Sequence, residues 1–202
     1  YSVWSNAARV RPSSWAAQYN TGLALLDQNR FLDASEALGR AAAIKPDEAA
    51  IFDALGRASD GAGNTREAED NYKRALEVDP LLFESLNNLG TLYFRLGKYA
   101  AAEASLVAAI KVRPAAARTR FNLGICRARL GRYDEAAREF EQATELEPDA
   151  EAFYELALAY EKLGRHRDAE NALTRGGSLT ATQELAGRIS NEMSRLRGER
   201  NR

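Results

Sequence analysis

The side chains that could carry out catalysis are few. His166 is the only histidine and could pair with a carboxylate in general acid–base work, but no nucleophile stands in a recognisable motif. Its position points instead to a solvated residue in a turn between helices. Cys126 is the only cysteine, so the chain has neither an intrachain disulfide nor a cysteine-rich metal site. Two residues after Gly124, it is expected to be a small buried hydrophobe, and Arg127 would activate it only if both were exposed. Gly61-Ala62-Gly63 is followed by Asn64, Thr65 and Arg66, so the third glycine of a dinucleotide loop is missing, and the step from Gly90 to Gly97-Lys98 does not fit a phosphate loop. The many carboxylates fall at the spacings of solvated helix faces and i,i+4 pairs. No catalytic residue, metal ligand or cofactor is expected, and the chain is read as a non-enzyme.

The elements that position these residues follow from a period. All five prolines, Pro12, Pro46, Pro80, Pro114 and Pro148, are 34 residues apart. Gly22, Gly56, Gly90, Gly124 and Ala157 form a second series, and Ala34, Ala68, Ala102, Ala136 and Ala169 a third, with gaps of 34 closing to 33 at the last step. Within each unit apolar residues recur three and four apart, which predicts two amphipathic helices of about 14 residues. In the third unit Leu86, Leu89, Leu92, Tyr93 and Leu96 line helix A, while Ala102, Leu106, Ala109, Ile110 and Val112 line helix B. Gly63, Gly97, Gly131 and Gly164, with Asn29 in the first unit, supply the left-handed turn residue. The small residues of helix A (Gly90) and helix B (Ala102) are expected to let two backbones approach. Proline then closes helix B, because it interrupts the hydrogen-bond ladder and disfavours helix in the residue before it.

Leu89-Gly90-Thr91-Leu92-Tyr93, Gly97-Lys98-Tyr99, Ala102, Ala109 and Pro114 resemble a tetratricopeptide repeat (TPR). So do Leu123-Gly124, Gly131-Arg132-Tyr133-Asp134-Glu135-Ala136, Phe140, Ala143 and Pro148. Five units are predicted, at 15–48, 49–82, 83–116, 117–149 and 150–177. The expected fold is all-α, a right-handed superhelical solenoid of helix-turn-helix repeats with a C-terminal capping helix. Thr21, Ser59 and Gly176 depart from the pattern, and Gly176-Gly177 should stop the last B helix short.

In this family the A helices line the concave side, so the resemblance implies a groove and names its residues by register. Asn20, Asn88 and Asn122 share one register, interrupted by Ala54 and Glu155. An asparagine amide both donates and accepts, and similar arrays use it there to grip an extended peptide backbone. Arg57, Tyr19, Asp53 and Asp60 belong to the same surface. In the middle, Phe94, Phe121 and Ile125 stand beside Arg95, Arg118 and Arg129, the make-up of a binding hot spot. A scaffold or adaptor that binds a protein or peptide segment with an apolar and an acidic group is the leading expectation. The alternative is that the arginines pair with Glu84, Glu151 and Glu155 inside the array. The two-carboxylate clamp of chaperone-binding members is not assembled by any three consecutive units.

Both ends carry further expectations. Counting back from Pro12, residues 1–14 place Trp4, Ala7 and Val10 where Leu38, Ala41 and Ile44 precede Pro46, so this segment reads as the B helix of a partial repeat. Such a half-repeat would offer a contact face, and Tyr1 in place of methionine predicts a protein that continues upstream. Other readings are therefore the soluble TPR tail of a larger protein, similar to those of some polytopic membrane glycosyltransferases, or a structural subunit that assembles through this face. Residues 178–202 predict a capping helix opened by Thr180 and Gln183, with Leu185, Ala186, Ile189, Met193 and Leu196 on one face and Arg188, Glu192, Arg195 and Glu199 flanking it, the polar backing that keeps a repeat array soluble. The 28 basic and 29 acidic residues leave a net charge of −1, which argues against a nucleic-acid partner. No apolar run approaches the roughly 18 residues of a spanning helix, so this segment is not expected to insert in a membrane.

Overall fold

A computed structural model of the chain describes residues 14–179 and 182–200. The half-repeat with Trp4, Ala7 and Val10, and Thr180 of the expected capping box, lie outside the described residues. Among those described, all regular elements are helices: α1 (Trp15–Leu26), α2 (Phe31–Ile44), α3 (Ala49–Gly61), α4 (Thr65–Val78), α5 (Phe83–Arg95), α6 (Tyr99–Val112), α7 (Ala117–Arg129), α8 (Tyr133–Leu146), α9 (Ala150–Lys162), α10 (His166–Leu179) and α11 (Gln183–Arg200).

The turn chemistry explains where the helices stop. Asn29 takes φ 56°, and Gly63, Gly97, Gly131 and Gly164 take φ between 71° and 82°, so the chain reverses between the two helices of each pair. At the other end of a B helix, the residue before proline leaves helical geometry: Lys45, Asp79, Arg113 and Glu147 have φ between −130° and −145°.

Packing corrects two expectations and gives the glycines of helix A a role. Gly22, Gly56 and Gly124 leave room for large side chains of the paired helix. A Cβ there would meet the side chains of Leu38, Tyr72 and Phe140 at 2.5–2.6 Å, so each glycine seats a large B-helix side chain. Val112, expected in the core, is 38% exposed, because the last turn of helix B leaves the packed pair; Ile44, Val78 and Leu146 do the same. Gly176-Gly177 does not shorten α10, which runs to Leu179. Gly176 is buried where a Cβ would lie 3.0 Å from Phe153 Cβ and 3.3 Å from the Ala150 carbonyl. That close fit offsets the roughly 1 kcal/mol of helix propensity that a glycine gives up.

The helices gather into two compact units, one ending at Leu96 and one beginning at Gly97, which divide the pair α5 and α6 between them. In the first unit α1 to α5 pack in chain order, and α1 also touches α3 and α3 touches α5. In the second, α6 to α11 pack in chain order, and α7 touches α9 and α9 touches α11. Among the described residues no two B helices meet in this way. Within each unit the A helices are thus the more tightly set layer. Phe121, Phe140, Phe153, Leu156, Leu173, Ile189 and Leu196 fill the second core, while Leu25, Leu26, Leu38 and Ala58 fill part of the first. Ile189 and Leu196 anchor α11 in that second core, with Leu185 and Met193 half-buried beside them. Ala186 N–H bonds to the Thr182 carbonyl at 3.1 Å in the first turn of α11.

Candidate functional site

In the first unit the A-helix face carries Asn20 on α1, Arg57 on α3, and Asn88, Phe94 and Arg95 on α5. Asp53, Ser85, Asn88, Arg95 and Asp60 are bound to one another in two groups, while Arg57 is exposed. Asp53 is buried on α3, and its Oδ1 accepts from Ser85 Oγ at 2.9 Å and from Asn88 Nδ2 at 3.1 Å. Burial raises the Asp53 carboxyl above the usual carboxylate range, against the two hydrogen bonds and Arg57, which favour its charge. Asn88 therefore bridges α3 and α5 with its amide nitrogen. Arg95 donates to Asp60 from both terminal guanidinium nitrogens, Nη1 at 3.0 Å. Tyr19 lies in the same field, where burial and then Asp53 raise its phenol.

In the second unit Arg118, Phe121, Asn122, Ile125 and Arg129 lie on α7. Phe121 does not stand open as an anchor. It is 7% exposed, with its ring 5.7 Å from that of Phe140. Its side chain is needed by the core, and Arg118 covers it, with Cζ 4.9 Å from the ring centre. Arg118 remains 71% exposed and reaches Glu151 only at 3.7 Å, an ion pair of little strength. Asn122 and Ile125 are half-buried and Arg129 is exposed. A cavity of about 110 Å³ opens at the N-terminal ends of α7 and α9, lined by Ala117, Phe121, Ala143 and Ala152 with Arg118, Glu147 and Asp149.

One residue of this face was hidden from sequence reasoning. Arg188, assigned by helix periodicity to the flank of the capping helix, reaches α9 and sets its Cζ 4.3 Å from the centre of the Tyr154 ring. Glu155 beside it is half-buried, and burial raises its carboxyl while Arg188 and then Arg129 lower it and Glu151 opposes them. Its signal was available only by carrying the 33-residue step onward from Glu155.

Other charges are structural. Arg127 binds Glu103 at 3.1 Å and Glu139 at 2.9 Å, Arg120 binds Glu139 at 2.9 Å, and Arg132 joins Glu103. At 100° per residue Arg120 and Arg127 lie on the side of α7 opposite Arg118, Asn122 and Arg129. This network locks α6, α7 and α8 together away from the candidate face. Cys126 is fully buried, and burial followed by Glu103 pushes its thiol up to about 11, so it is an inert core residue. His166 is exposed as the first residue of α10 rather than within the turn. Among the described residues no group of three His, Cys, Asp or Glu could hold a metal ion. No described helix is long and apolar enough to cross a membrane.

A TPR protein, YrrB, described as having an unusual peptide-binding site, is 22% identical in sequence and superposes with a TM-score of 0.77 over 93% of this chain and 97% of its own. MamA of AMB-1 is 26% identical with a TM-score of 0.72 over 85% and 96% of the two chains. MamA from Desulfovibrio magneticus RS-1 is 19% identical with a TM-score of 0.75 over 84% and 96%. These likenesses concern the fold. No curated protein matches the sequence. The model of the family described as tetratricopeptide repeat matches residues 2–49, 54–104 and 87–140, and a second, described as TPR repeat, matches 127–164. The chain belongs to the tetratricopeptide repeat family, whose helix-pair scaffold supports a role in protein interaction.

Proposed function

We propose that this chain is a binding scaffold that holds an extended polypeptide segment along the A-helix face of the unit beginning at Gly97. One observation carries the reading. On α7, Asn122 and the exposed Arg118 and Arg129 share a face that the ion network of the same helix leaves open. The half-buried Asn122 amide is suited to a peptide backbone, the cavity beside Phe121 to an apolar side chain, and the arginines to an acidic one. The solved structure of YrrB, a similar fold with a peptide-binding site, adds support by analogy.

Fluorescence anisotropy with short peptides selected on the full chain tests this. Asn122→Ala is expected to weaken binding by about five-fold, the worth of one net hydrogen bond, with helicity unchanged by circular dichroism. Unchanged affinity would remove the α7 face from the function.

A further inference from the structure

The series of A helices does not end at α9. α11 begins 33 residues after α9, as α9 begins 33 residues after α7. It also packs on α9 as α9 packs on α7. The register position of Asn122 on α7 and Glu155 on α9 is therefore held on α11 by Arg188. That position is the one at which Asn20 and Asn88 also stand.

Arg188 is built into this place rather than loosely decorating it. Ile189, the next residue, is 3% exposed and fixes the helix in the core. The guanidinium is stacked on Tyr154 yet remains exposed. Stacking holds the planar group through its face and leaves its N–H edges open, the arrangement that suits two parallel bonds to a carboxylate. Arg129 is exposed on the outward side of α7, and both arginines favour the charged form of Glu155, which Glu151 opposes. Among the described residues neither has a carboxylate within ion-pair distance. Arg118, Arg129 and Arg188 thus stand against Glu151 and Glu155, and the excess among these five is one positive charge.

We propose that α11 is a further lining helix of the binding face, and that Arg188 with Arg129 forms a subsite for an acidic side chain of the bound segment. This rests on the proposed groove-binding function and adds a ligand preference to it. Charge complementarity selects a carboxylate, and the prior stacking of Arg188 lowers the side-chain entropy lost when it binds.

The test uses an array of short peptides with amidated C-termini, in which every position is scanned with Asp, Ala and Lys. The full chain, Arg188→Ala and Arg188→Glu are each applied to it. Binders of the unaltered chain are expected to lose about ten-fold when one particular Asp becomes Ala. Arg188→Ala should abolish that difference while keeping affinity for the Ala peptide, and Arg188→Glu should turn the preference towards Lys at the same position. Arg188→Met preserves the apolar stem over Tyr154 and replaces Arg188→Ala if its helicity falls. An Asp preference that survives all substitutions overturns the proposal. So does a preference that appears only on a parallel array with free C-termini, which would assign the site to a terminal carboxylate. Binding without any acidic preference overturns this inference and leaves the groove reading intact, whereas an array with no binder at all overturns both.

Discussion

In the unit that ends at Leu96, polar groups of the A-helix face are tied sideways from one helix to the next. Asp53 takes the amide of Asn88 and the hydroxyl of Ser85, and Arg95 takes Asp60. In the unit that begins at Gly97, the lateral bonds sit on the other side of α7, in the network of Arg120, Arg127, Arg132, Glu103 and Glu139. Its A-helix face keeps Arg118, Arg129 and Arg188 outward. The Asp53 and Arg95 bonds of one unit and the Arg127 network of the other therefore lie on different sides of their A helices. The same residue type at the same register, asparagine at positions 88 and 122, bonds to Asp53 in one and is half-buried beside the exposed Arg118 and Arg129 in the other.

Removing Phe140 should separate the two units most strongly. Phe140→Ala empties a fully buried position and should destabilise by about 3–5 kcal/mol. Both tryptophans, Trp4 and Trp15, precede Leu96. Tryptophan fluorescence therefore reports the first unit during urea unfolding, while far-ultraviolet circular dichroism reports all helices. The dichroism midpoint should drop well below the fluorescence midpoint. An equal drop in both would break the distinction between the units.

The next contrast concerns ion pairs. Arg127→Ala leaves Glu103 and Glu139, at 19% and 12% exposure, with only Arg132 and Arg120 as partners, and a loss of about 2 kcal/mol is expected. Arg95→Ala removes a pair whose arginine is 50% exposed, and the loss should stay within about 1 kcal/mol. Urea midpoints measured side by side would show whether the lateral bonds of the second unit are the stronger.

A third test uses pH, because the two networks shift their carboxyls in opposite directions. Asp53 is raised by burial, so its contribution is fully present below its unfolded pKa and is lost as pH rises through the folded value. Glu103 is lowered, burial notwithstanding, by hydrogen bonds from Arg132 and Arg127. Its contribution is present above its unfolded pKa and is lost as pH falls through the lowered value. Relative to the unaltered chain, Asp53→Asn should therefore gain stability on going from acid to neutral pH and Glu103→Gln should lose it. Difference curves of the urea midpoint with the same slope for both would contradict the assignment.

The smallest effect is the finest comparison. Asn122→Ala should weaken peptide binding by roughly 1 kcal/mol with little change in stability. Asn88→Ala should do the reverse, lowering stability by a similar amount because buried Asp53 loses a donor. Matched anisotropy and urea measurements on the two variants would sharpen the contrast, and identical profiles would erase it.

Much of this was legible in the residues themselves. A period of 34 with proline, glycine and alanine at constant offsets reports local chemistry: where a helix cannot continue, where φ must be positive, and where space is scarce. Those are properties of single positions, so helix pairs, turns and the buried state of Cys126 could be read directly. The candidate face was legible only as a register. Register told which residues point the same way, but not that Asn88 meets Asp53, that Phe121 is consumed by Phe140, or that Arg95 is held by Asp60.

By itself, then, the sequence determined the repeated helix pair, because backbone propensity and amphipathic spacing act within one unit. Only the tertiary structure decided which side chains remain available to a partner. That outcome depends on neighbours 12 to 35 residues away competing for the same donors and the same space. Gly176 and Arg188 make the point together. By local propensity Gly176 is a helix stop, yet in the fold it is a close contact with α9. By periodicity Arg188 is a solubilising flank, yet it stands on the Tyr154 ring.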